Sequence, residues 1–316
     1  MNMTPKIIVV CGPTATGKTR LGIELARQFN GEIVSADSMQ VYRRMDIGTA
    51  KATAEERAAA IHHMLDVAEP EENYSVARYV EEASRCCDDI LARGKLPILV
   101  GGTGLYIDSL VSGRDFADND GDAGLRDRLS AEYDALGGEE MLLRLKSVDP
   151  ERAEKLHPGD KRRIVRALEI YMLTGLTITE HDRRTRALPP RYNAARIFLS
   201  YEDRADLYAR IDRRVDEMAE QGLFAEVQGL LDEGLSESCT AMQAIGYKEP
   251  AQALKGQISR EEAIALIKQN SRRYAKRQLT WFSRAEGVLS IRWGRQPDFE
   301  QARRLSTDFL LSRGLS

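Results

Sequence analysis

The sequence is poor in cysteine and in long apolar runs, and it carries no large excess of one charge. Its four cysteines, Cys11, Cys86, Cys87 and Cys239, follow no CxxC spacing. That excludes a disulfide framework and a cysteine-ligated zinc site, and it reads as reduced thiols in a cytosolic protein. No apolar stretch approaches bilayer-spanning length, and the start MNMTPKIIVV lacks a signal-peptide layout. A cytoplasmic protein without membrane association is expected. Internal repeats and low-complexity tracts are missing too. The net charge of −3 excludes a uniformly basic coat for nucleic acid, but not a local basic patch. What is present is ordinary for a globular chain. Hydrophobic residues make up 42% and charged residues 30% of 316 positions, enough for two domains or for one domain with a large insertion.

Short apolar runs followed by turn residues suggest buried strands at KIIVVCG (6–12), EIVSAD (32–37) and LPILVGG (96–102). Helical patterns separate them, at Thr19–Phe29 and roughly Ser75–Arg93. Strand-helix alternation of this kind predicts βαβ units and a parallel sheet. The pattern changes after Gly113: residues 114–195 are charged, helical and punctuated by Gly, Asp and Pro. RIFLS (196–200) and VLSIRW (288–293) then read as further strands. The expected fold is α/β: a parallel-sheet core in two parts, 1–113 and 196–316, interrupted by a mostly helical insertion.

Gly12-Pro13-Thr14-Ala15-Thr16-Gly17-Lys18-Thr19 fits the phosphate-loop pattern G-x-x-x-x-G-K-[ST], with a strand before it and a helix after. Glycines let backbone N–H groups turn inward, the helix start adds partial positive charge, and Lys18 adds a full one. Thr19 is the expected Mg²⁺ ligand. One customary partner is missing: no acid follows the strand LPILV, which runs instead into GGTGLY (101–106). The well-placed acid is Asp37, at the end of EIVSAD. At a strand end beside the loop it suits a magnesium ligand, a general base or a plain turn cap.

GPTATGKT, SADSMQVYRRMDIGTAK and VGGTGLYI resemble, in order and spacing, the tRNA dimethylallyltransferase (tRNA isopentenyltransferase) family. DKRRIVRALEIYMLTG, RIDRRVDEM, QAIGYKE and RRYAKRQLTWF extend the resemblance from residue 7 to about 282. The resemblance implies transfer of a dimethylallyl group from dimethylallyl diphosphate to N6 of adenosine 37, in tRNAs reading codons that begin with U, with release of pyrophosphate. The loop would then hold a diphosphate leaving group rather than ATP, which accounts for the absent acid, since bond breaking occurs at carbon. By the same resemblance Asp37 is the general base, Arg214 reaches the diphosphate and Mg²⁺ sits on Thr19.

The resemblance also implies contacts with the tRNA anticodon stem-loop. Ser38, Met39 and Gln40 beside Asp37, with Thr103, would meet a flipped adenine. Arg162, Arg163, Ile164, Val165 and Arg166 of the insertion would grip the stem-loop. Further contacts fall on Gln243, Ala244, Ile245, Gly246, Tyr247 and Lys248, and on Lys276, Arg277, Gln278, Leu279, Thr280, Trp281, Phe282 and Ser283. A bacterial-type enzyme is expected, because the chain has neither the length nor the cysteines for the zinc finger of eukaryotic relatives, and a monomer is expected as well.

Two helical patterns bear on the RNA. From Ala263 to Ala285 there is no acid, and Lys268, Arg272 and Lys276 recur every fourth residue, widened by Arg273 and Arg277, with Arg284 beyond. Spacing predicts a cationic stripe, with Ile267, Tyr274 and Trp281 turned to the core. In 160–175, Asp160 is a candidate cap, Gly175 a candidate stop, and Ile164, Leu168 and Met172 the apolar stripe. His62 and His63 are read as structural. Rival readings are a prenyltransferase acting on free adenine nucleotides, a small-molecule P-loop kinase and a non-enzymatic RNA-binding protein.

Overall fold

The computed structural model describes residues 4–113, 123–283 and 287–315, so Arg284 and residues 114–122 of the insertion lie outside the described residues. The chain divides into two compact units, Met1–Gly113 with Arg191–Ser316, and Arg114–Pro190.

In the first unit the early elements are β1 (Lys6–Cys11), α1 (Lys18–Gln28), β2 (Gly31–Ser35), α2 (Ala54–Ala59), β3 (His62–His63), α3 (Val76–Ala92), β4 (Leu96–Gly101) and α4 (Gly104–Ser112). The second unit holds α5 (Ala123–Leu136), α6 (Gly138–Val148), α7 (Pro150–Ala153), α8 (Lys161–Thr174) and α9 (Ile178–Ala187). The first unit resumes with β5 (Asn193–Tyr201), α10 (Arg204–Glu220), α11 (Leu223–Asp232), α12 (Lys248–Leu254), α13 (Arg260–Phe282), β6 (Leu289–Trp293) and α14 (Phe299–Ser312).

Among the described residues, six strands form one sheet in the order β3-β2-β4-β1-β5-β6, all pairs parallel. Strands covered on both faces read as continuous apolar runs, and β1 does: Ile7, Ile8, Val9 and Val10 are fully buried. Against the sheet pack Leu21 and Leu25 of α1, Leu207 and Ile211 of α10 and Leu310 of α14. β5 begins at Asn193 rather than Arg196, because Asn193, Ala194 and Ala195 pair with Lys6, Ile7 and Ile8. A strand start without bulky apolar residues gives no periodic signal. The edge strand β3 has the same difficulty, since it is two histidines held by pairing with Ile33 and Val34.

The second unit has its own core: Leu125 and Leu129 of α5, Met141 and Leu145 of α6, Ile164, Val165 and Leu168 of α8. Gly175 ends α8 in the left-handed conformation, φ 69°. Asp160 does not cap it, as its carboxylate accepts instead from His157 N at 3.0 Å. Met172 is half exposed rather than part of the stripe.

Candidate active site

Three strand ends meet at the C-terminal edge of the sheet, where open α/β folds place ligands. β1 delivers the loop Gly12–Gly17, the neighbouring β4 delivers Gly101-Gly102-Thr103, and β2 beyond it delivers Ala36-Asp37. Two glycines make this close approach feasible. A Cβ on Gly12, which sits at φ +149°, would lie 2.3 Å from Leu199 O, and one on Gly101 would lie 2.1 Å from Ala36 O.

The loop is fixed from inside and outside. Thr16 Oγ1 and Lys18 Nζ both donate to Pro13 O, at 2.9 and 2.7 Å. Trp293 Nε1, at the end of β6, donates to Thr16 O at 2.9 Å. Gln278 of α13 accepts from Thr14 N at 3.0 Å and donates to Gly102 O at 2.9 Å, tying the phosphate loop to the β4 turn. Ala15 adopts φ +64°, a conformation that side chains other than glycine rarely take, which marks a loop shaped by its surroundings.

Two cations converge on this loop. Arg214 of α10 donates to Thr14 Oγ1 at 3.4 Å. Burial, and then the nearby Arg214 guanidinium, push the Lys18 ammonium down to about 8, with Asp37 opposing. Burial lowers Arg214 as well, again against the pull of Asp37. Two recessed cations, both feeling one carboxylate, make a site electrostatically suited to a polyanion. The Thr19 hydroxyl stands in the first turn of α1 and makes no hydrogen bond among the described residues. No group of three or more His, Cys, Asp or Glu that could hold a metal occurs among them. A lone hydroxyl oxygen fits Mg²⁺ held largely through phosphate oxygens and water, and does not fit an all-protein cage.

Asp37 is half-buried, and its Oδ1 accepts from Met39 N at 2.9 Å and Gln40 N at 3.4 Å. That leaves Oδ2 without a hydrogen bond among the described residues. Thr103 N donates to Ala36 O at 3.1 Å, and Thr103 Oγ1 accepts from Ser38 N at 3.1 Å. The turn after β4 therefore fixes the acid-bearing turn after β2. Tyr274 of α13, expected from its spacing to face the core, also reaches this place. Its phenol is pushed up to about 12 by burial and then by Asp37, against hydrogen bonds with Thr103 and Gln278. Its position four residues before Gln278 on one helix face was the available signal.

Several residues expected at an RNA surface are engaged elsewhere. Gln40 is internal: Oε1 accepts from Ser35 Oγ at 3.1 Å, and Nε2 donates to Thr49 O and Ala50 O, each at 3.2 Å. Its amide N–H groups are spent on the fold and cannot also read a base. Ile164 and Val165 are core residues. Arg166 pairs with the buried Glu169 at 2.7 Å, alongside Arg126. Tyr247 is fully buried against Gly48, Gly246 is buried, Phe282 packs on Phe198, Leu279 packs on the sheet core, and Gln278 is the brace just described. Arg162, Arg163, Gln243, Lys248, Lys276, Arg277, Thr280, Trp281 and Ser283 are exposed; Ser38, Met39, Ala244 and Ile245 are half-buried.

The α13 stripe is split. Lys268 pairs with Asp216 at 2.6 Å and Arg272 with Asp212, so α10 neutralises the first two cations. Arg273, Lys276 and Arg277 remain exposed and form no ion pair among the described residues. Trp281 is 45% exposed and donates to Asp108 Oδ2 at 2.8 Å. A strict seven-residue spacing drifts about 20° per heptad on a straight helix, which carries Trp281 away from the buried line of Ile267.

Known proteins resemble this chain over nearly all of its length. The sequence model of the family described as "IPP transferase" matches residues 40–285, and that described as "Isopentenyl transferase" matches residues 5–66. The tRNA dimethylallyltransferase of Thermoanaerobacter sp. (strain X514) is 46% identical over 98% of this chain and 97% of its own. That of Caldanaerobacter subterraneus subsp. tengcongensis is 50% identical over 89% of each. Among solved structures, the full-length tRNA isopentenylpyrophosphate transferase of Bacillus halodurans superposes with a TM-score of 0.72 at 40% identity, covering 98% of both chains. A eukaryotic dimethylallyltransferase described as acting on tRNA gives 0.81 at 30% identity, over 98% of this chain and 80% of its own. With a phosphate loop beside Asp37, and with relatives this similar end to end, the chain belongs to the tRNA dimethylallyltransferase family.

Proposed function

We propose that this protein transfers a dimethylallyl group from dimethylallyl diphosphate to N6 of adenosine 37, in tRNAs reading codons that begin with U, releasing pyrophosphate. It acts in the cytoplasm as a monomer. The observation that carries this reading is the pairing of a two-cation phosphate loop with a carboxylate at the end of β2, while β4 ends in Gly101-Gly102-Thr103 with no acid. That arrangement suits a leaving diphosphate and an attacking amine better than attack at phosphorus.

The C1–O bond of the diphosphate breaks as the N6–C bond forms. Charge that grows on pyrophosphate is met by the loop amides from Ala15 to Thr19, by Lys18 and by Arg214, each placed before the reaction begins. Mg²⁺, held by Thr19 and the diphosphate oxygens, would add a further counter-charge. The proton leaving N6 goes to Asp37 Oδ2, the oxygen left free by the turn. Exposed Arg162, Arg163, Arg273, Lys276 and Arg277 supply phosphate-backbone contacts for the anticodon stem-loop.

Labelled dimethylallyl diphosphate with Mg²⁺, offered an A36-A37 stem-loop, AMP or ATP in parallel, tests the reading. Label on the stem-loop alone is expected. Label on AMP alone would favour a free-nucleotide prenyltransferase, and ATP turnover without prenyl transfer a kinase.

A further inference from the structure

The segment that follows Asp37 is long, lacks regular structure as far as Thr53, and includes Arg44 at φ +62° and Ala50 at φ +46°. Non-glycine residues in that region persist only where surrounding contacts over-determine them. One side chain on a distant element holds three consecutive amides of this segment. Glu226 of α11 accepts from Asp46 N at 2.9 Å and Ile47 N at 2.8 Å on one oxygen. Its other oxygen accepts from Gly48 N at 3.1 Å and from Tyr247 OH at 2.6 Å. All four acceptor positions of the carboxylate are thus used, three of them on consecutive backbone amides.

The bonds continue to the reacting group. Thr49 O and Ala50 O, the next carbonyls along, receive both N–H groups of Gln40, and Gln40 N and Met39 N hold Asp37 Oδ1. We propose that Glu226 is a positioning residue for Asp37: a strut from α11 that fixes residues 46–50, and through Gln40 the direction in which Asp37 Oδ2 points. The inference rests on the reading of Asp37 as the base, and it assigns α11 a part in the reaction although no residue of that helix belongs to the phosphate loop or its strand-end turns.

The test combines single-turnover transfer to the stem-loop with backbone hydrogen exchange. Glu226→Ala is expected to slow transfer about 10–100-fold, the scale on which a displaced catalytic group costs rate, with dimethylallyl diphosphate affinity within about twofold of the parent. Exchange at Asp46, Ile47 and Gly48 should accelerate. Glu226→Gln keeps one acceptor oxygen and should give an intermediate loss, so the result does not hang on a variant that folds poorly. In an Asp37→Asn background Glu226→Ala should add nothing, because the group it positions is gone. A full additional loss in that background, or exchange at 46–48 unchanged in both Glu226 variants, overturns the strut. An Asp37→Asn enzyme as fast as the parent overturns the base assignment itself, whatever Glu226 does.

Discussion

Lys18 is the residue where electrostatics makes the sharpest demand. Burial and Arg214 hold its ammonium near 8 in the free protein, and a bound diphosphate favours the charged form. The bound value therefore lies above the free one, so binding takes up a proton between the two. Affinity for inorganic pyrophosphate, corrected for the ligand's own titration measured without protein, should fall as pH rises through about 8, by up to about tenfold per unit. Titration calorimetry at pH 8.5 in buffers of different ionisation enthalpy should register net proton uptake. Binding that strengthens from pH 7.5 to 9 would contradict it. Asp37 makes a separate demand: Asp37→Ala should depress single-turnover transfer by about 100-fold or more, the range for a lost general base, with diphosphate affinity nearly kept. At this scale the sequence was legible where one motif fixes both geometry and chemistry, as from Gly12 to Thr19. It was not legible at Gln40, whose partners Thr49 and Ala50 are defined only once the following loop has folded back.

Among elements, β2 depends on a buried charge. Glu32 is 1% exposed, and its carboxylate meets Arg93, Lys95 at 2.8 Å and His63 at 2.7 Å. These partners, the Arg93 hydrogen bond foremost, hold it well below the usual carboxylate range. A depressed folded value contributes stability above the unfolded pKa and loses it as pH falls. Glu32→Gln should cost about 2–3 kcal/mol at pH 7 in urea unfolding, and the difference should shrink below pH 4. The same cluster explains His63, whose ring nitrogen serves Glu32 rather than a ligand. α13 makes a second prediction. Reversing Arg273, Lys276 and Arg277 to Glu should weaken stem-loop binding and flatten its salt dependence by roughly one to three units of slope. Lys268→Ala and Arg272→Ala should alter the slope little, because Asp216 and Asp212 already neutralise them. The stripe was visible in the sequence as an acid-free run. That α10 would face half of it was not, since no local pattern reports which helix packs where.

For the whole molecule, strand-helix alternation announced the parallel sheet, because β1 and β4 are buried on both faces and spell that in Val, Ile and Leu. The early end of the helical unit, at Pro190, and the early start of β5 were blurred by residues with no apolar period. A sheet that brings the loop after β1, the turn after β2 and the turn after β4 to one edge places the phosphate loop next to Asp37. The central claim is that the bond broken there joins carbon to oxygen, and not phosphorus to oxygen. Dimethylallyl diphosphate carrying ¹⁸O at the bridging position between carbon and phosphorus, turned over with an A36-A37 stem-loop and Mg²⁺, tests this most directly. The account predicts one prenylated N6 at adenosine 37 per pyrophosphate released, with all of the ¹⁸O in the pyrophosphate. Heavy oxygen retained in dimethylallyl alcohol, or a phosphorylated product with no prenyl group on the RNA, would contradict it.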